Sequence, residues 1–306
     1  MNVFYGIGLK IASVLLFIVM LALVKATTEH VPTGQIVFFR SFFAVLVIVI
    51  WLGATKQLGA GLRTKNPFGH LWRGVIGTAS MTLNFWSAGL LPLPEVTAIG
   101  YAAPLLTVVF ASLFLGEVVR GFRISCVLLG LAGVLIVLSP RLSAFGTGML
   151  SERETAGAFI ALGSATCAAL VQVLLRRMVV TESVSSIVFY FSLFSTLLSL
   201  LTIPGWVVPT RTEFWLLLMA GLLGGLAQIF ITTAYRYADA SVVAPFEYVS
   251  MIFALAIGYM FFDEVPTLTM LWGASLVVAA GLLIIWRERQ LGLERKRQRQ
   301  AATPAG

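Results

Sequence analysis

The chain has 306 residues, 59% hydrophobic and 11% charged, with a mean hydropathy of +0.96 and a net charge of +8. Soluble domains carry about 25% charged residues, and a single core stops growing near ~250–300 residues. A water-soluble fold is therefore excluded, and lipid must be the solvent for most of the chain.

A transmembrane helix needs roughly 20 mostly apolar residues. Ten such runs follow one another: 3–24, 34–53, 71–91, 95–115, 122–139, 155–175, 186–207, 213–234, 241–262 and 268–286. Charges, Pro or Gly separate them, as in KATTEHVPTG and GATKQLGAGLRTKNP. The runs are continuous rather than alternating apolar and polar, which predicts helices and not a membrane β-barrel. The first run is too long for a signal peptide and no small-residue cleavage site follows it, so it is read as the first span.

The charge distribution predicts orientation. With the N-terminus in the cytoplasm, Lys25, Arg141, Arg153 and Arg211 fall outside, Lys10 and Arg40 fall within spans, and the other 15 of the 21 Lys and Arg residues face the cytoplasm. Such a bias is the positive-inside pattern. It predicts that both termini are cytoplasmic and that the protein sits in the inner (plasma) membrane. It also accounts for the basic tail, 287–306, as topology and attraction to anionic lipid rather than nucleic-acid binding. Cys126 and Cys167 lie within apolar runs and read as small core residues, with no disulfide, metal site or cofactor implied.

The second half repeats the first. The octet IVFFRSFF, Ile36–Phe43, returns as IVFYFSLF, Ile187–Phe194. The same shift of 151 pairs Gly6 with Gly157, Ser13 with Ser164 and Lys25 with Arg176. A shift of 147 pairs Val96 with Val243, Tyr101 with Tyr248 and Glu117-Val118 with Glu264-Val265, and one of 148 pairs Ala132-Gly133 with Ala280-Gly281. Each copy holds an odd number of spans, so the second enters the membrane from the opposite side. The expected fold is an all-α membrane protein of two inverted five-helix repeats, 3–139 and 155–286. Inverted repeats of this kind are typical of secondary transporters, with a midplane site between the halves.

Ten spans, the duplication, the segment FFRSFF and the helix endings PLLTVVFASLFLGE and SMIFALAIGYMFFDE resemble the drug/metabolite transporter superfamily, specifically its EamA family. The resemblance covers about 3–286 and implies a ten-helix transporter in which spans 1, 3, 4, 6, 8 and 9 look toward a central cavity. Among family members it looks closest to bacterial carriers that take up riboflavin or S-adenosylmethionine.

An ionisable side chain inside a membrane is a functional candidate, since its insertion costs about 2.5–3.5 kcal/mol. Lys10, Arg40 and Glu247 are such residues, and coupling or gating is their candidate task. Arg40 is expected to be mainly structural, reaching back to the outer interface and meeting Phe38, Phe39, Phe42 and Phe43 through cation–π contacts. Glu247 and Lys10 lie at similar depth. A structural ion pair between them and a substrate- or proton-binding Glu247 both remain open. Pro94, Pro104, Pro245 and Gly100 are expected to interrupt spans 4 and 9. Asn84, Trp86, Tyr101, Gln172, Gln228, Tyr235 and Tyr248 are candidate pocket residues, with Glu247 beside them. Glu117 and Glu264 are read as residues that end helices and hold loops.

An integral membrane enzyme is the main non-transport alternative. It would need clustered acids or histidines, whereas His30 and His70 fall in loops on opposite sides. No Walker pattern supports direct ATP hydrolysis. The expected function is secondary transport of a small organic metabolite by alternating access, with uptake of a cofactor-type compound such as riboflavin in first place. S-adenosylmethionine uptake and export of amino acids or other metabolites are the alternatives. The expected partners are that small molecule and the bilayer; a homodimer stays open.

Overall fold

The computed structural model describes residues 3–115, 121–143, 152–178, 181–237 and 244–302. Its elements are α1 (Val3–Lys25), α2 (Thr33–Ala54), the short α3 (Leu58–Gly61), α4 (Pro67–Ala88), α5 (Leu93–Gly100), α6 (Ala102–Leu115), α7 (Gly121–Ser143), α8 (Glu152–Met178), α9 (Val184–Ser199), α10 (Arg211–Tyr237), α11 (Val249–Phe262) and α12 (Leu268–Ala302). Two 3-10 segments adjoin them: Leu200–Gly205 continues α9, and Ala244–Tyr248 leads into α11. No strand occurs among the described residues.

Eight segments are long and apolar enough to cross a membrane, and Ile124–Pro140 is apolar but shorter. The remaining span is α4. Its lower hydropathy follows from a polar content that includes His70, Arg73 and Asn84. It also begins earlier than the apolar run suggests. Asn66 caps it by accepting the Gly69 N–H at 2.9 Å, and Pro67 occupies the first turn, where its missing N–H is harmless. His70 therefore lies in the first turn of a helix and not in a loop. At the other end of the chain, α12 runs past 286 to Ala302.

The packing obeys the exchange of halves that the repeat demands. Span 1 packs on span 8 (α1 on α10), and its counterpart, span 6 on span 3 (α8 on α4), is also present. Likewise α2 packs on α10 and α9 on α4. Two pairs are their own counterparts, α2 with α9 and α7 with α12, and these must lie on the pseudo-two-fold axis.

Spans 4 and 9 are interrupted at matching positions. The helix stops after Gly100 and resumes at Ala102, while the second copy starts as a 3-10 turn that ends at Tyr248. Tyr101 and Tyr248 are repeat partners, and their rings meet edge-on with centroids 5.0 Å apart. The Tyr101 hydroxyl lies 2.5 Å from the Ser250 hydroxyl. Paired breaks in corresponding helices of inverted repeats are the usual pointer to a binding site.

Candidate functional site

Polar residues on α2, α4 and α8 face one another around the axis. The membrane-facing sides of these helices are apolar, so their few polar groups are driven inward, where protein or a cavity can satisfy them. A cavity of about 410 Å³ results, bounded by Arg40, Arg73, Asn84, Gln172 and Phe191 and extending to Gly100 at the break in span 4. Ser80, Met20, Met81 and Phe85 also border it. This volume falls in the range of about 300–1,000 Å³ typical of small-molecule sites.

The two arginines dominate its electrostatics. Arg40 comes from α2 and is buried, 5% exposed. Its guanidinium carbon sits 5.8 Å from the centre of the Phe191 ring, and that of Arg73, from α4, sits 4.0 Å from the same ring. Nε and Nη1 of both arginines are buried without a hydrogen-bond partner, and among the described residues neither arginine joins a salt bridge. Arg40 thus points into the protein, not to the outer interface. Phe38, Phe39, Phe42 and Phe43 are occupied elsewhere, in a ring cluster with Trp206 and Phe214. The expected cation–π contact is made instead to the residue that replaces Arg40 in the second repeat.

Two glycines keep room for these cations. A Cβ at Gly77 would overlap Nη1 of Arg73 and stand 2.8 Å from the Phe191 ring. One at Gly224 would stand 3.2 Å from Nε of Arg40 and 2.8 Å from the Met20 sulfur.

Of the residues singled out from sequence, Arg40, Asn84 and Gln172 line this cavity. Tyr101 and Tyr248 form the neighbouring layer on the axis. Trp86 is half exposed, and Gln228 lies on α10; neither is a lining residue. The side chain of Tyr235 and the whole of Glu117 lie outside what is described. Lys10 is fully buried and forms an ion pair with Glu247, whose side chain is 49% exposed. The depth match read from sequence therefore corresponds to a contact between α1 and the 3-10 turn of span 9.

Arg73 escapes the sequence reading because it sits close to a charged loop and counts there as one more topological charge. The signal that could have found it is its spacing on α4, where Arg73, Gly77, Ser80 and Asn84 fall three or four residues apart and so share one face.

Two further clusters tie the halves together. Near the start of α4 and of α9, buried His70 lies 3.3 Å from Glu182, and Glu182 also accepts the backbone N–H groups of Lys65 and Asn66, each at 2.7 Å. Burial raises the Glu182 pKa, but these hydrogen bonds and His70 outweigh it and hold the carboxyl below its ordinary value. At the opposite end, Lys25 bonds Glu264 at 2.7 Å, and Glu264 accepts the Leu93 N–H at 2.7 Å. Glu264 thus holds the loop before span 4, in line with the sequence expectation.

Comparison with known proteins agrees with this architecture. The profile of the EamA-like transporter family matches residues 4–139 and again 155–286. The chain belongs to the EamA-like transporter family. It is 31% identical over 282 residues to the pseudopaline exporter CntI of Pseudomonas aeruginosa, covering 92% of this chain and 93% of the relative. It is 28% identical to an S-adenosylmethionine uptake transporter of Rickettsia bellii, over 84% of each chain. A riboflavin transporter of Rhizobium johnstonii is 31% identical over 84% of this chain and 82% of its own. A solved crystal structure shares the fold with a TM-score of 0.65 at 20% identity, covering 94% of this chain and 98% of its own. This EamA-family protein is accordingly a multi-pass membrane transporter of small metabolites.

Proposed function

We propose that the chain is a secondary transporter that carries one small organic metabolite by alternating access, with the substrate held in the cavity between α1, α2, α4, α8 and α9. The observation that carries this reading is the placement of the cavity. It lies where repeat partners meet, between the Arg40–Phe191 contact and the paired breaks at Tyr101 and Tyr248. A site at the axis is bordered by both halves, so rocking one repeat against the other can expose it to either side in turn.

Both termini face the cytoplasm in this proposal, on the strength of the charge bias. Residues 3–139 and 155–286 act as the two moving repeats, and 287–306 is a basic cytoplasmic tail. Uptake of a cofactor-type compound such as riboflavin is the first substrate to test, since Phe85 and Phe191 offer rings for a planar ligand. S-adenosylmethionine uptake and metabolite export are the alternatives, and the relatives include both uptake carriers and an exporter.

The test is flux in proteoliposomes of the full chain, with radiolabelled riboflavin, S-adenosylmethionine and amino acids measured in both directions. Complementation of riboflavin and S-adenosylmethionine auxotrophs runs in parallel. Saturable counterflow of one compound supports the reading. Product formation without flux would make the protein an enzyme instead.

A further inference from the structure

We infer that the cavity is an anion site: Arg40 and Arg73 together bind a carboxylate, or an equivalent oxyanion, on the transported molecule. This rests on the cavity being the transport site, and names the class of substrate it takes.

Four guanidinium nitrogens, Nε and Nη1 of each arginine, are buried with no acceptor in the protein. A buried donor left unsatisfied is costly, the more so when it is charged. The two guanidinium carbons lie 5.8 and 4.0 Å from the centre of one ring, and no described carboxylate pairs with either. Three other described interior groups do have a counter-charge: Lys10 with Glu247, Lys25 with Glu264, and His70 with Glu182 at 3.3 Å. Only this pair of cations at the centre is left without a counter-charge among the described residues. Guanidinium groups grip carboxylate and phosphate through two parallel N–H···O bonds, and both forks here border one cavity. Phe191 lies against both guanidinium groups as a fixed backing.

The remaining wall describes the rest of the ligand. Ser80, Asn84 and Gln172 offer hydroxyl and amide groups, while Met20, Met81 and Phe85 are apolar. The ligand is therefore a small organic acid with a partly apolar body. A neutral riboflavin leaves both arginines unmatched, whereas its 5′-phosphate or a carboxylic acid supplies the missing counter-charge, so the cofactor-type candidate is tested in both forms.

Matched acid–neutral pairs isolate the charge from the shape. The probes are phthalate against phthalamide, succinate against succinamide, and riboflavin 5′-phosphate against riboflavin. Binding is measured by calorimetry and thermal stabilisation on the full-length protein in detergent. At least one acid is expected to bind about tenfold or more tightly than its neutral partner. Arg40→Gln and Arg73→Gln should each remove that preference, and Gln172→Trp, which crowds the cavity, should weaken the acid. The wild-type comparison stands even if one arginine variant fails to fold. The inference is overturned if no acid binds, if the neutral partners bind as well, or if the preference survives both arginine variants or Gln172→Trp. Neutral compounds whose binding is lost in Gln172→Trp would keep the cavity as the transport site while removing the anion from it.

Discussion

Arg40 and Phe191 hold the same position in the two copies of the repeat, and the guanidinium of one lies 5.8 Å from the ring of the other. Residues related by a two-fold operation can touch only near its axis. The site is therefore built on the symmetry element but is chemically asymmetric, with a cation from one half and a ring from the other. Arg73 shares that ring at 4.0 Å, so Phe191 should matter to both cations. Phe191→Leu is expected to lower stability by about 1–2 kcal/mol, the scale of desolvated cation–π contacts, and Phe191→Tyr should keep it. Thermal unfolding in detergent decides; a leucine variant as stable as the parent refutes the contact's role.

Glycine at 77 is required by space. Gly77→Ala should displace Arg73 or Phe191 and lose substrate binding, with a stability loss of about 1–3 kcal/mol typical of overpacking. Gly100 lines the same cavity, yet a Cβ there meets nothing within 4 Å. Gly100→Ala should be tolerated. Equal effects of the two substitutions would show that the cavity shape is wrong.

Lys10 is buried and Glu247 is its counter-charge. Glu247→Gln should destabilise the protein by leaving a buried lysine unpaired, and Lys10→Glu combined with Glu247→Lys should restore folding. If Glu247 also carries a coupling proton, Glu247→Gln will separate flux from a pH gradient while substrate exchange survives. Unaltered stability together with an unaltered pH profile excludes both tasks.

Glu182 joins the turn before α9 to the backbone ahead of α4. Its folded-state pKa lies below the ordinary value. Its contribution is therefore complete above the usual carboxylate range and is lost as the pH falls through the lowered value. Glu182→Gln should cost about 1–3 kcal/mol at neutral pH and flatten the acid limb of the stability profile. A variant whose acid limb matches the parent's would contradict this linkage.

Orientation is tested separately. In intact cells, an impermeant thiol reagent should reach Glu29→Cys and miss Arg63→Cys. The reverse pattern overturns the topology and the side assigned to every loop.

Much of this fold was legible because lipid imposes a simple rule: each span must be a long apolar helix, and the octet at Ile36 returns at Ile187. The breaks in spans 4 and 9 were also marked, by Gly100 and Pro245. The site was legible only in part. Arg40, Asn84 and Gln172 stood out as polar groups within apolar runs. Arg73 did not, since an arginine six residues into α4 looks like an interfacial charge. The direction in which Arg40 reaches was unreadable for a related reason. Its side chain is long enough for either the interface or the axis, and only the position of Phe191, 151 residues later, favours the axis.

The account is tested most directly by access to the cavity from both sides. Asn84→Cys is made in a chain with Cys126 and Cys167 replaced by Ala, and labelled in right-side-out and inside-out vesicles. Label should enter from either face. Adding Lys25→Cys and Glu264→Cys and cross-linking them should close the outer path, leave labelling from the cytoplasmic face, and stop transport. Labelling from one face alone before any cross-link, or transport that continues after it, would contradict alternating access at this cavity.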